Sequence, residues 1–422
     1  MPTLTEPENP LRRLTPERLE ALARELDELH EQVKDDLGER DARYIRSIIT
    51  LHRRLGLMGR MELLASTFWP AWIAGTATLS AAKILENMEI GHNVLHGQWD
   101  WMNDPVINSQ AWDWDTASTS AAWKHSHNYV HHTYTNILGK DKDLGYQIMR
   151  IDPHQPWHPV YLLQPLYNLL LMALFEWGVA FHDLDHDAIR SGEKSPKDVA
   201  YELKGIWGKA RLQITKDYVA WPLLSAVVTG AAAYASGPRR ASRWDRLRRR
   251  APNRTAHALA AARRAYVRTA VADASANVVR NVWAHSIIFC GHFPDQTYTF
   301  SQSEVADETR GARYVRQLIG AANIEGSPFF HVMSGNLGYQ VEHHLYPDMP
   351  STRYGEIAPK VREICERYDL PYNSGPLSKQ LVMVHRTILR LAFPGGKVRP
   401  KPGPYRGEKV RTAGERATAL AA

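Results

Sequence analysis

Histidines gather in three short clusters of this 422-residue chain. His92 pairs with His96; His127 is followed by the adjacent His131 and His132; Gln340 precedes the adjacent His343 and His344. Neutral imidazole is the commonest metal ligand among side chains. His92 and His96, and again His127 and His131, are four residues apart, so a helix would present each pair on one face. Adjacent histidines on a helix diverge by about 100°, as ligands to two neighbouring metals would. Asn281 and His285 repeat the four-residue spacing and read as a further metal-facing pair. This set exceeds what one metal takes, so two metals are expected. Cys290 and Cys365 are the only cysteines, which argues against thiolate zinc and iron–sulfur sites. A nitrogen-rich set with open positions suits redox-active iron and dioxygen. Asp141 and Asp143, just beyond the second cluster, read as solvated carboxylates or as groups that orient imidazoles, the solvated reading being the simpler. His125, His292 and Asn336 read as outer or structural residues near the clusters, as does His331.

The elements that must position these residues are helical. Leu19, Leu22, Leu26, Leu29 and Val33 recur at three- and four-residue steps, predicting an amphipathic helix over 14–34 that starts near Thr15 and Pro16. Residues 63–82 carry no charge and are long enough to cross a bilayer core. Residues 159–181 and 219–235 are further candidate spans. Residues 271–290 are a weaker one, because Asp273 and Arg280 interrupt it. The stretch 239–268 holds 11 Arg, no Lys and one acid, Asp245, and reads as a basic loop. The net charge is +7, which fits a protein facing an anionic membrane surface; no nucleic-acid partner is expected. Tyr354, Ile357, Val361 and Ile364 outline one more amphipathic helix, and a basic tail follows Gly395. The N-terminus lacks a secretory-signal pattern.

With their flanks, the clusters resemble the signature of the membrane-bound fatty acid desaturase family. That signature is HxxxH, a box ending in HH, and (H/Q)xxHH. Gln340 at the head of the third box is similar to the front-end and linoleoyl-CoA-type branch. The flanks of the first box resemble actinobacterial acyl-CoA desaturases that act near carbon 9. The resemblance covers residues 60–150 and 277–372. It implies an all-α integral membrane bundle of about four transmembrane helices, with a cytosolic helical cap holding a di-iron centre. It implies insertion of a cis double bond into a long-chain acyl-CoA or acyl-lipid, using dioxygen and two electrons. By matching position, His92, His96, His127, His131, His132, His285, Gln340, His343 and His344 would be metal ligands, with Asn281 acting through water. The implied divisions are an N-terminal segment 1–58, a desaturase domain 59–372 with an Arg-rich loop at 238–268, and a basic tail 373–422. No haem-binding or nicotinamide-binding motif is present, so a separate ferredoxin, rubredoxin or flavin reductase is implied. The expected location is the cell membrane, multi-pass. The boxes, residues 239–268 and both termini are expected to face the cytosol, since positive loops stay inside. A hydroxylase or ketolase on the same scaffold, and a non-enzymatic membrane metal-binding protein, are the alternatives.

Overall fold

A computed structural model describes residues 9–237, 253–397 and 401. The described chain is helical; its one sheet pairs β1 (Asn323–Glu325) with β2 (Ser374–Pro376) in parallel. Helix α1 (Pro16–Asp35) starts where the sequence predicts. Thr15 Oγ1 caps its first turn, and Leu22, Leu26 and Leu29 are buried. These leucines join a core that includes Val315 and Ile319 of α9 (Arg310–Gly320) and Ile357 and Val361 of α11 (Tyr354–Arg367).

The bundle is built from two long hairpins. Helix α2 (Glu39–Leu63) packs on α3 (Trp69–Ile84), and the two approach so closely at Gly59 and Gly75 that a Cβ on Gly59 would lie 2.9 Å from the Leu79 backbone nitrogen. Small residues permit such crossings between apolar helices. The expected span 63–82 is therefore not one helix. The chain turns at 64–68, and Pro70 sits at the start of α3, where its missing N–H costs nothing. The second hairpin runs along α6 (Pro196–Gln213) and α7 (Trp221–Ser236), joined by a π-helical stretch, Ile214–Ala220. It returns along α8 (Arg254–His292). Pro196–Ser236 is the one described helix long and apolar enough to cross a membrane by itself. The candidate span 159–181 is instead broken: Pro159–Ala173 and Phe175–Ser191 meet at 103°, with α4 (Gln164–Ala173) before the break and α5 (Phe175–His182) after it.

The Arg-rich stretch differs from its expected form. Residues 238–252 lie outside the described residues. From Arg254 the chain is not a loop but the opening turns of α8, capped by Asn253 Oδ1. Arg268 donates to the Ser66 and Thr67 carbonyls of the 64–68 turn, and Trp72 Nε1 donates to the Arg268 carbonyl. These contacts fix the Arg end of α8 beside the turn of the first hairpin. His292 ends the same helix at the far end. Residues 254–268 and His292 thus lie at opposite ends of the bundle, against the expectation that one face carries the arginines and the boxes.

Charges inside the bundle are paired. Arg60 of α2 reaches Asp217 at 2.6 Å and Asp273 of α8 at 3.1 Å, and Lys83 Nζ reaches Asp217 at 2.7 Å. Removing one partner of a buried ion pair strands the other, at about 3–5 kcal/mol. Arg60→Ala should therefore lower stability by about that amount, read as an earlier unfolding transition in detergent. An unchanged transition would mean that the pair contributes nothing net.

Candidate metal centre

The first box closes the helix that begins as α3. Its turns widen to π-helical hydrogen bonding over Leu85–His92 before Asn93–Leu95 resumes the α form. The second box repeats this, with Lys124–His131 π-helical and His132–Tyr134 α-helical. Short π segments inside α-helices occur frequently at functional sites. The third box is the six-residue helix α10 (Gln340–Leu345). A fourth element contributes the last residue of α8, His292.

These elements bring two groups of imidazoles together. One nitrogen from each of His92, His96, His127 and His343 lies within 4.8 Å of the others, and so does one from each of His131, His292 and His344. The His132 ring stands between the groups, 4.9 Å from the His343 centroid and 4.6 Å from that of His344. Buried ring nitrogens converge here without hydrogen-bond partners: Nε2 of His96, His127, His131 and His343, and both nitrogens of His132. Buried polar atoms are ordinarily satisfied. A concentration of orphaned imidazole nitrogens is what a metal site leaves when only its protein atoms are counted.

The outward nitrogens are, by contrast, engaged. Nδ1 of His131 lies 3.0 Å from Asp141 Oδ1, and that of His127 lies 3.3 Å from Asp143 Oδ2. Nδ1 of His92 meets Asn93 Oδ1 at 3.0 Å, that of His343 meets Tyr354 Oη at 3.2 Å, and that of His344 meets Gln317 Oε1 at 3.1 Å. An Nδ1–H donated outward leaves the Nε2 lone pair facing in, which is how such partners orient metal-binding imidazoles. Burial pushes His92 down to about 3 and holds His96, His132, His292, His343 and His344 well below the ordinary histidine range. Neutral ligands result. At His131 burial acts in the same direction, but Asp141 and Asp143 outweigh it and raise the ring to about 9. Those carboxylates stabilise positive charge at this ring, whether it arrives as a proton or as a metal ion.

The residues singled out in the sequence are placed unequally. The box histidines converge, and Asp141 and Asp143 touch them. The Gln340 amide nitrogen lies 3.0 Å from His292 Nε2, and its Oε1 is buried without a partner. Gly291 is what makes room, since a Cβ there would come within 2.8 Å of the Gln340 side chain. His285 is not brought to the cluster. It pairs with Asn168 Oδ1 at 3.0 Å and stacks on Phe289 at 3.7 Å. His292 takes the expected place two turns further along the same face, a seven-residue step that was legible once α8 was known to continue. Asn281 also stands apart from the metal groups, donating to the Ala173 carbonyl freed by the break before α5. His125 is exposed against Tyr129, and Asn336 donates to Glu89 rather than to a box histidine. Asn93, Gln317 and Tyr354 carry no sequence signal of their orienting contacts, because two of them come from distant elements.

Beside His92 and His127 lies a narrow cleft. Met88, Trp114, Trp123, Tyr146, Phe175 and Ile288 give it a largely apolar lining. A family model described as fatty acid desaturase matches residues 67–235 and 168–376. The chain belongs to the fatty acid desaturase family. It is 42% identical over 381 residues to the NADPH-dependent stearoyl-CoA 9-desaturase of Mycobacterium tuberculosis (strain CDC 1551 / Oshkosh), covering 90% of this chain and 82% of the relative. The sn-1 linoleoyl-lipid 6-desaturase of Synechocystis sp. is 22% identical over 328 residues, covering 76% of this chain and 80% of the relative. No solved structure was found to match. Desaturases are oxidoreductases, and in this one the paired imidazole groups and the apolar cleft meet at His92 and His127.

Proposed function

We propose that this desaturase removes two hydrogens from carbons 9 and 10 of a saturated long-chain acyl-CoA of the stearoyl type, leaving a cis double bond. The observation that carries the reading is the cleft reaching His92 and His127, beside two converging groups of imidazoles several of whose inward nitrogens have no hydrogen-bond partner. One iron would be held by His92, His96, His127 and His343, and the other by His131, His292 and His344, with His132 between them. Bound iron would supply activation of dioxygen. The residues do the rest: Asp141 and Asp143 hold the ring tautomers, and the apolar lining keeps the chain extended and water away from it. Dioxygen, two electrons and two protons enter, and two waters leave with the unsaturated acyl-CoA. The mycobacterial relative is NADPH-dependent, which supports NADPH as the source of electrons. No Gly-rich phosphate loop for NADPH is present here, so a separate reductase or ferredoxin would deliver them. The proposed setting is a multi-pass protein of the cell membrane, one desaturase unit over residues 59–372, with the boxes on the cytosolic side.

Feeding labelled stearoyl-CoA to membranes that contain the protein and a reductase system tests this. The expected product has lost two hydrogens and carries its double bond at carbon 9. A product that has instead gained one oxygen would make the protein a hydroxylase, and a double bond elsewhere would overturn the assigned position.

A further inference from the structure

The apolar cleft does not end on apolar side chains. Its lining includes Glu176 and Asn281, which precede His182 on α5 by six residues and His292 on α8 by eleven, while His182 Nε2 pairs with Asp143 beside the metal groups at 2.9 Å. Glu176 is buried, and its Oε1 is paired with the buried Arg280 guanidinium. Its Oε2 accepts from Gln213 Nε2 at 2.8 Å. Arg280 is pinned in turn, donating to Asn281 Oδ1 at 3.2 and 3.1 Å and to the Asp115 carbonyl at 3.2 Å. Asn281 ties the plate to α4 through the Ala173 carbonyl at 3.0 Å. This cross-linked set of polar groups draws on α4, α5, α6 and α8. A hydrocarbon chain has nothing to offer a buried ion pair, and displacing one strands charge.

Its position along α8 matters. Ile288 and Asn281 both line the cleft; they lie seven residues apart on α8, Ile288 nearer its His292 end, or about 10 Å of axial rise. An extended chain advances about 3.5 Å for every three bonds. The distal half of an 18-carbon chain, from carbon 9 to the methyl end, is nine bonds, which is again about 10 Å. We infer that the Glu176–Arg280 pair is the floor of the acyl channel and sets the number of carbons that fit beyond the reacting bond. Glu176 and Arg280 are specificity-determining residues in this reading, which rests on the proposed desaturase function.

The test is competition among 16-, 18- and 20-carbon acyl-CoAs, with product chain length and double-bond position as the readout. Glu176→Ala combined with Arg280→Ala removes both charges together. The double variant should raise the share of 20-carbon product at least severalfold while the bond stays at carbon 9. Val179→Phe keeps the ion pair and fills the cleft one turn above Glu176; it should shift product towards 16 carbons. If the double variant fails to fold, the Val179 variant decides alone. Chain-length profiles identical to wild type, or a Val179→Phe loss equal for all three substrates, would overturn the floor. Wild-type protein that desaturates none of the three would instead sink the desaturase reading itself.

Discussion

His292→Ala should lose close to half of the bound iron and lower turnover by more than about 100-fold, whereas His285→Ala should keep its iron. The magnitude follows from outer partners of metal ligands, whose loss already costs about 10–100-fold; a direct ligand must cost more. His292 stands with His131 and His344 in a group whose ligating nitrogens lie within 4.8 Å of one another. His285 is held instead by Asn168 and Phe289, so its removal should cost stability of about 1–3 kcal/mol for the stranded hydrogen-bond partner. Metal analysis of the two purified variants separates these outcomes. Iron lost from His285→Ala and retained in His292→Ala would move the ligand back two turns along α8.

Asp143→Asn should weaken both proposed iron sites, and Asp141→Asn mainly one. Asp143 faces three rings: its oxygens lie 3.3 Å from His127, 3.6 Å from His131 and 2.9 Å from His182. His127 belongs to one imidazole group and His131 to the other. Asp141 reaches His131 alone among the box histidines, while also accepting from the Asn136 backbone N–H at 2.7 Å. Each substitution keeps the side chain's size and removes the charge that fixes the Nδ1–H tautomer. A drop of about 10–100-fold in affinity is expected, with parallel loss of both irons in the Asp143 variant. Chelator competition followed by metal analysis reads this directly. Equal and independent loss from the two variants would show that Asp143 does not couple the two groups.

Much of the site was legible because imidazole spacing is a chemical signal that survives ignorance of the fold. The three boxes and Gln340 could be picked out from residue type alone; the roles of Asp141 and Asp143 could not, because a solvated carboxylate looks the same in sequence. His292 carries the same chemical signal, but the four-residue spacing of Asn281 and His285 competes with it two turns earlier on α8. The fold was legible as helical and apolar, but its punctuation was not. The uncharged run 63–82 hides a turn whose one clue is Pro70. The bend between Ala173 and Phe175 carries no proline or glycine at the break. The π segments leave no mark in hydrophobic pattern, since they change hydrogen-bond partners without changing residue types. The Arg-rich stretch misled in the other direction. Its alanines and arginines are strong helix formers, and beyond Asn253 they build a helix that composition alone suggested was a loop.

The length of α8 decides where oxidation takes place relative to lipid. At about 1.5 Å per residue, its 39 residues extend to nearly twice the hydrocarbon thickness of a bilayer, which is about 30 Å. Its last outward-facing apolar side chains are Val278 and Val279. From there, thirteen residues carry the helix on for about 19 Å before His292. In the proposed membrane setting this would lift the histidines on a stalk clear of the lipid tails, with Arg280 near its foot. On the proposed acyl channel, a substrate would be drawn up out of the oily layer, methyl end lowest, to bring its ninth carbon level with the rings. The same elevation would leave the site within reach of the separate, freely diffusing electron carrier proposed above.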